Sequence, residues 1–351
     1  MFVDAVDPFY LGLTAIISFG MQIVGFTIAF TLKTDVITDF WSALTAIVLI
    51  LFTLNFGAAY TARNIVASIF GMVWAARLGG FQLFRVAKMG GDSRFDEMRS
   101  KIFKLMFFWA TQGLWIWTIT MPINVLNSPA VTRETGGFGG TRGPSFGTAK
   151  DIVGVIIWAI GIITESWADF GKYFFKSVSK PPKGAICNVG PWKVVRRPNY
   201  LGEILNWLGI YLVCISPAAD PAISRRGHDA LLGTVVSPIF TTILLLFLSG
   251  VPTAEKPSQQ KYFTASVKGE TYEPFGKDQP EEDPWTRMKN YTNRTSLIIP
   301  IPPPLYKPLP KFVKTWLLLD FPMFQFKGDG EEGQKVRDEL LKQQEESADS
   351  S

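Results

Sequence analysis

Histidine and cysteine are nearly missing from this chain of 351 residues: one histidine, His228, and two cysteines, Cys187 and Cys214. Mechanisms built on a histidine cluster or a multi-histidine iron centre are excluded, and a Ser-His-Asp triad is not expected. With no CxxC and no histidine beside either cysteine, neither a zinc site nor a disulfide framework is expected. Charge is also scarce: Asp, Glu, Lys and Arg make up 19% of the residues, below the roughly 25% usual for a soluble domain. No GxGxxG follows a strand-like run and no GxxxxGK[ST] occurs, so a nucleotide would not be held by a Rossmann domain or a P-loop.

What the chain has in quantity is apolar length. Apolar residues reach 47%, with 28 Phe and 11 Trp. A membrane-crossing helix needs about 20 mostly apolar residues. Seven stretches are read as spans: Phe9–Leu32, Trp41–Tyr60, Ile65–Val86, the Trp-rich Leu105–Leu126, Ile152–Phe175, the short Tyr200–Ile215, and Ala230–Leu248. The expected fold is an all-α polytopic membrane bundle of about seven spans. The start carries two acids and no basic n-region, so no cleavable signal peptide is expected. The basic residues gather in loops 87–104 and 176–199. Those loops mark the cytoplasmic side, which takes the C-terminus with it and puts the N-terminus across the membrane. The net charge of +5 therefore fits membrane topology, and no nucleic-acid partner is expected.

Three regions follow from this reading: a membrane bundle over 1–250, a Pro-rich cytoplasmic cap over 251–325, and a polar tail over 326–351 expected to be disordered. The run IPIPPPLYKPLP (299–310) favours extended backbone. Phe312, Trp316, Leu317 and Phe321 follow at once, so a rigid cap against the membrane face is preferred to an SH3-type ligand. The sequon at Asn293 falls on the cytoplasmic side and is expected to stay unmodified.

Two polar stripes interrupt the apolar runs. Glu165, Asp169, Lys172 and Lys176 are spaced 4, 3 and 4, within an arc of about 60° on one helix face. A charge near mid-bilayer costs about 2.5–3.5 kcal/mol on insertion scales, so Glu165 needs a polar cavity or a partner. Ion pairs at a helix end would explain the lysines but not Glu165. The second stripe lies in PWKVVRRPNYLGEILNW (191–207), where Asn199, Glu203 and Asn206 share a face behind Arg196, Arg197 and Pro198. A snorkelling basic rim explains the arginines, not the buried carboxylate between two amides. Together the stripes describe a deep pocket open to the cytoplasm. Its carboxylates and amides suit ribose hydroxyls and a carboxamide, and its mouth of Lys and Arg suits phosphates. Arg77 and the block GGDSRFDEMR (90–99) are read evenly as a solvated loop or a functional one. GGFGGTRGPSFG (136–147) is read as a flexible loop, and His228 as interfacial.

At these residues the chain resembles the steroid 5-alpha reductase C-terminal domain family. RRPNYLGEILNWLGI is similar to its RHPNYxGE signature. RLGGFQLFRVAKMGGDSRFDEMR, ITESWADFGKYFFK, FLSGVPTAEK and YTNRTSLIIPIPPPLY resemble blocks of a branch of membrane oxidoreductase-like proteins with a fungal flavour. The resemblance spans roughly residues 65–320. It implies seven spans, binding of NADPH from the cytoplasmic side, a lipid-soluble substrate and residence in the endoplasmic reticulum. By motif, Asp169 and Lys176 would hold the ribose and adenosine phosphate end, with Glu165 and Lys172 on the same stripe. Arg197, Asn199, Tyr200 and Glu203 would line the diphosphate and nicotinamide region, with Arg196 a cofactor-binding candidate from the basic mouth. Arg197 stands where the family commonly has His, and Glu165 where the steroid enzymes carry an amide. Tyr60 is the candidate catalytic residue. The implied activity is reduction of a carbon-carbon double bond in a lipid or steroid-like enone. The alternatives are an S-adenosylmethionine-dependent methyltransferase, since isoprenylcysteine carboxyl methyltransferases share a similar motif and fold, and a non-catalytic cofactor-binding scaffold.

Overall fold

The computed structural model describes residues 6–33, 37–89, 102–135, 145–221 and 223–349. Block 90–99, with Asp92, Arg94, Asp96 and Arg99, and most of the glycine-rich loop lie outside the described residues. In chain order the helices are α1 Leu11–Leu32, α2 Thr38–Phe56, α3 Ala62–Met89, α4 Ile102–Leu126, α5 Pro129–Thr135, α6 Ala149–Ser177, α7 Pro198–Cys214, α8 Arg225–Gly233, α9 Val236–Ile243, α10 Val251–Val267, α11 Pro284–Arg294, α12 Pro303–Tyr306 and α13 Glu331–Asp349. Among the described residues no strand forms, and two isolated bridges join Val195 to Ser296 and Tyr272 to Glu282. The chain is a polytopic membrane helix bundle.

Six helical runs among the described residues are long and apolar enough to cross a membrane. The expected fourth span is the exception. α4 has 25 residues and Pro122 inside it, but it is not one of the six. Trp109, Gly113, Thr118, Thr120 and Asn124 are buried in it. Thr120 donates to Ile116 O and Asn124 to Thr120 within the helix itself, and such polar and small side chains dilute the apolar signal of a packed helix. The expected seventh span lies within the run Arg225–Val267, which contains an apolar stretch long enough to cross and a π-helical turn at Leu244–Leu248.

The chain divides into two compact units, Met1–Ile162 with Ile204–Thr241, and Ile163–Glu203 with Thr242–Ser351. The first is built on aromatic packing and small-residue contacts. Trp74, fully buried, meets Trp207 edge-on at 4.8 Å and Trp115 at 6.1 Å, and Phe70 stacks on Trp158 at 3.8 Å. Ala43, Ala46, Ala67 and Ala75 are buried beside them and let backbones approach. α6 and α7 cross where Gly154 faces Gly209. A Cβ on Gly209 would lie 2.6 Å from Trp158 N and 2.7 Å from Gly154 O, so only glycine permits that crossing. Uncharged hydrogen bonds bind the same unit: Asn64 Nδ2 donates to Asn127 Oδ1 (2.8 Å), and Asn127 Nδ2 donates to Ser68 Oγ (3.1 Å). One ion pair joins α3 to α6, with Arg63 Nη2 2.8 Å from Asp151 Oδ2.

In the second unit, α10, α11 and α13 meet around Phe263, Phe326 and Val336, with Trp285 and Leu340 against them. Asp283 caps α11 by accepting from Thr286 N at 2.8 Å. The tail expected to be disordered is helical over Glu331–Asp349. Val336 and Leu340, one turn apart, are the anchors by which it docks.

Candidate functional site

Every predicted cofactor-binding residue falls in the second unit. α6 explains why. Ile163, Trp167, Phe170 and Phe174 are all exposed and repeat the 4, 3, 4 spacing on the face opposite the charged stripe. The helix turns its apolar side outward and its charges inward, the inverse of a soluble amphipathic helix. Along the stripe burial falls steadily. Glu165 is 3% exposed, Asp169 and Lys172 are half-buried, and Lys176 is exposed.

The connection after α6 folds back over this stripe. Gly190 takes φ +52°, and a Cβ there would stand 2.7 Å from Trp167 Nε1. That tight turn delivers Trp192, which is held on three sides. Its indole N–H donates to Ala168 O at 2.8 Å, its carbonyl accepts from Tyr291 OH at 3.1 Å, and Lys172 Nζ lies 4.5 Å from its ring centroid. Lys172 also interacts electrostatically with Arg197, Lys176, Cys187 and Asp169. Lys172 is therefore the point at which Asp169, Lys176 and Arg197 share one electrostatic neighbourhood, and it rests against Trp192.

The two arginines separate in role. Arg196 is 2% exposed. Its Nη1 is 2.6 Å from Glu255 Oε1 and its Nη2 is 2.6 Å from Asp320 Oδ2. Tyr306 OH donates to the same Asp320 oxygen at 2.6 Å, and Gln259 Nε2 donates to Glu255 Oε1 at 3.2 Å. Burial alone would lower the Arg196 pKa, but Glu255 and Asp320 hold it above the ordinary arginine value. Burial, and then the Asp320 charge, push the Tyr306 phenol above its usual range. Arg197 is less enclosed and shares Glu255 through Nη2 at 2.9 Å. Main-chain bonds from Arg196 N to Ser296 O (2.8 Å) and Arg197 N to Leu297 O (3.0 Å) fix the pair against the segment before α12. Two arginines and two carboxylates make the cluster neutral. Sequence reasoning puts both arginines at a phosphate-binding mouth. The structure engages Arg196 fully inside the protein, because a buried guanidinium is tolerable only when paired.

α7 then begins with Pro198 at its first position, as a preset φ favours. Asn199 Oδ1 is buried and accepts no hydrogen bond. Tyr200 OH donates to Gly250 O at 3.3 Å. Glu203 is half-buried, and Asn206, fully buried, belongs to the first unit. Tyr60 belongs to the first unit as well. It is 56% exposed, and its hydroxyl donates to Asn55 Oδ1 at 3.1 Å. Glu255, Asp320, Gln259 and Tyr306 escaped sequence reasoning. Their signal is an isolated acid in an apolar or aromatic setting, as in VPTAEK and LLLDFP, matched to the unpaired Arg196-Arg197 doublet. An open groove of about 510 Å³ lies between the end of α10 and α13, lined by Val267, Lys268, Arg337, Leu340 and Leu341. Gln343 and Gln344 complete its lining, which holds no carboxylate.

Residues 25–273 match the family described as Protein of unknown function (DUF1295). The chain belongs to that family. It is related to the steroid 5-alpha reductase-like membrane proteins. No curated protein and no solved structure matches the chain. As a family member it carries its family match across α6, the Trp192 turn, the arginine doublet and α7, up to the Tyr272 strand-like bridge.

Proposed function

We propose that this chain is an NADPH-dependent membrane reductase that saturates a carbon-carbon double bond of a lipid or steroid-like enone, in the oxidoreductase-like branch named above. The observation that carries the reading is the inward acid-and-lysine stripe of α6, closed by Trp192 and Arg197. Membrane-embedded charge is costly and is kept where it serves a site.

The donor set supports a phosphorylated dinucleotide. Asp169 offers acceptors to ribose hydroxyls, while Lys172 and Lys176 offer ammonium donors to phosphates. Lys176, at the exposed end of the stripe, suits the terminal 2′-phosphate. Asn199 Oδ1, buried with no partner, and Glu203 suit the amide hydrogens of a carboxamide. Arg196 makes no direct contact in this reading. It holds the main chain that presents Arg197. When bound, NADPH would supply a hydride to the β-carbon of the enone and leave as NADP+, and a proton drawn ultimately from solvent would complete the reduction at the α-carbon. The chain's own residues orient that group and keep water from it, and the exposed apolar flanks give a lipid-soluble substrate access from the bilayer. The site would face the cytoplasm of an endoplasmic-reticulum protein, with the C-terminus on the same side.

Two variants test the assignment. Lys176→Ala should lower the preference for NADPH over NADH by about 10- to 100-fold, the worth of one charge-assisted hydrogen bond of about 1.5–3 kcal/mol. Glu203→Gln should weaken both nucleotides while the protein still inserts and folds. Titration of detergent-solubilised protein reads both effects. An unchanged preference or an unchanged affinity removes the corresponding residue from the site.

A further inference from the structure

The segment 299–325 presents an unusual surface. Leu305, Phe312, Trp316, Leu317 and Met323 are between 59% and 68% exposed. In water such a cluster marks an interaction site. The same stretch holds Lys307, Lys311 and Lys314 and a single acid, Asp320, which is buried and paired with Arg196. What faces outward is therefore aromatic, aliphatic and positively charged. Its base is fixed. Tyr306 is fully buried with its hydroxyl on Asp320, and Lys314 donates to Asn293 O and lies 4.4 Å from the Tyr306 ring centroid. The patch is also continuous with the last apolar run. Phe321 links Trp316 at 5.9 Å to Phe247 at 5.8 Å. Phe247 and the exposed Leu248 lie in the π-helical turn of the membrane-crossing run Arg225–Val267.

We propose that residues 305–323 form a rigid foot that inserts Phe312, Trp316, Leu317 and Met323 into the membrane interface, with Lys307 and Lys311 docking on anionic phospholipid headgroups. Three features select a lipid surface over a protein partner. Tryptophan beside lysine is the composition of a bilayer interface. The exposed charge is of one sign, complementary to anionic headgroups. The aromatic chain starts on a turn that is itself part of a membrane-crossing run. Because Pro302–Pro304, Pro308 and Pro310 stiffen the segment, insertion orders little new chain. This inference is independent of the reductase reading.

The test uses the full chain in nanodiscs of phosphatidylcholine with or without phosphatidylserine. Met323→Cys in a Cys187→Ser background carries a polarity-sensitive fluorophore, and quenching by lipid-borne nitroxide is compared with quenching by aqueous iodide. We expect lipid quenching to dominate, and the ratio of docked to undocked label to be higher with phosphatidylserine. Lys307→Gln and Lys311→Gln should each lower that ratio by about fivefold, as about 1 kcal/mol per basic residue implies. Phe312→Ser with Trp316→Ser should abolish lipid quenching without changing the thermal midpoint, since both side chains are exposed. Dominant iodide quenching in the parent protein overturns insertion. Protection that follows protein concentration rather than lipid would assign the patch to a second copy and also overturn the proposal. Equal docking in both lipids overturns the anionic preference.

Discussion

Arg196 and Arg197 are adjacent in sequence yet differ in what their loss would do. Arg196 pairs with Asp320 and shares Glu255. Arg196→Gln leaves the buried Asp320 without its ion-pair partner and should cost about 3–5 kcal/mol. Arg197→Gln leaves Arg196 on Glu255 and should cost about 1–3 kcal/mol. Thermal midpoints in detergent give the order, and equal losses would refute the division of roles. The same cluster sets an alkaline limit. Tyr306 has a raised pKa in the folded protein, so its contribution is fully present below the unfolded tyrosine value of about 10. It is lost as pH rises through the folded value, because the unfolded chain releases the proton first. Tyr306→Phe should flatten the fall in stability above pH 10, and an identical alkaline slope would contradict the assignment. These residues were the least legible in the sequence. Arg196 lies 59 residues from Glu255 and 124 from Asp320, and no local spacing reveals a pair that tertiary folding alone brings together. The stripe from Glu165 to Lys176 was legible because one helix carries all four side chains.

At the scale of elements, legibility follows how much of the signal is local. α6 combines a charged face and an apolar face in one period, so both its helicity and its inward stripe can be read directly. α4 is long and Trp-rich, which reads as a span, yet its buried Thr118, Thr120 and Asn124 interrupt the apolar run and it is not among the six. The polar, aromatic-free sequence of α13 reads as disordered, and Val336 and Leu340 are the apolar side chains by which it docks. Phe263 and Phe326, far from it in sequence, complete its core. The α6–α7 crossing depends on Gly154 and Gly209. Gly209→Leu would force a side chain into backbone 2.6–2.7 Å away and separate the helices. An overpacked contact costs about 1–3 kcal/mol, and here backbone leaves no rotamer to yield. We expect a lowered thermal midpoint and loss of monodisperse protein in detergent. A wild-type midpoint would show that the crossing is looser than described.

For the whole molecule, the low charge, the apolar runs and the inward-facing polar groups point to a membrane bundle, and the proposed site lies in its second unit. The family match over residues 25–273 covers the bundle from the last turns of α1 onward and all the residues of the proposed site. The central claim is that the α6 stripe with Trp192 and Arg197 receives NADPH. The most direct measurement is a thermal-shift titration of the purified chain with NADPH, NADH and S-adenosylmethionine. A ligand of the native state adds about 2.7 kcal/mol of apparent stability at a hundredfold excess over its dissociation constant. The account predicts stabilisation by NADPH, a smaller effect of NADH, and none of S-adenosylmethionine. Stabilisation by the methyl donor alone, or by none of the three in folded protein, would contradict it.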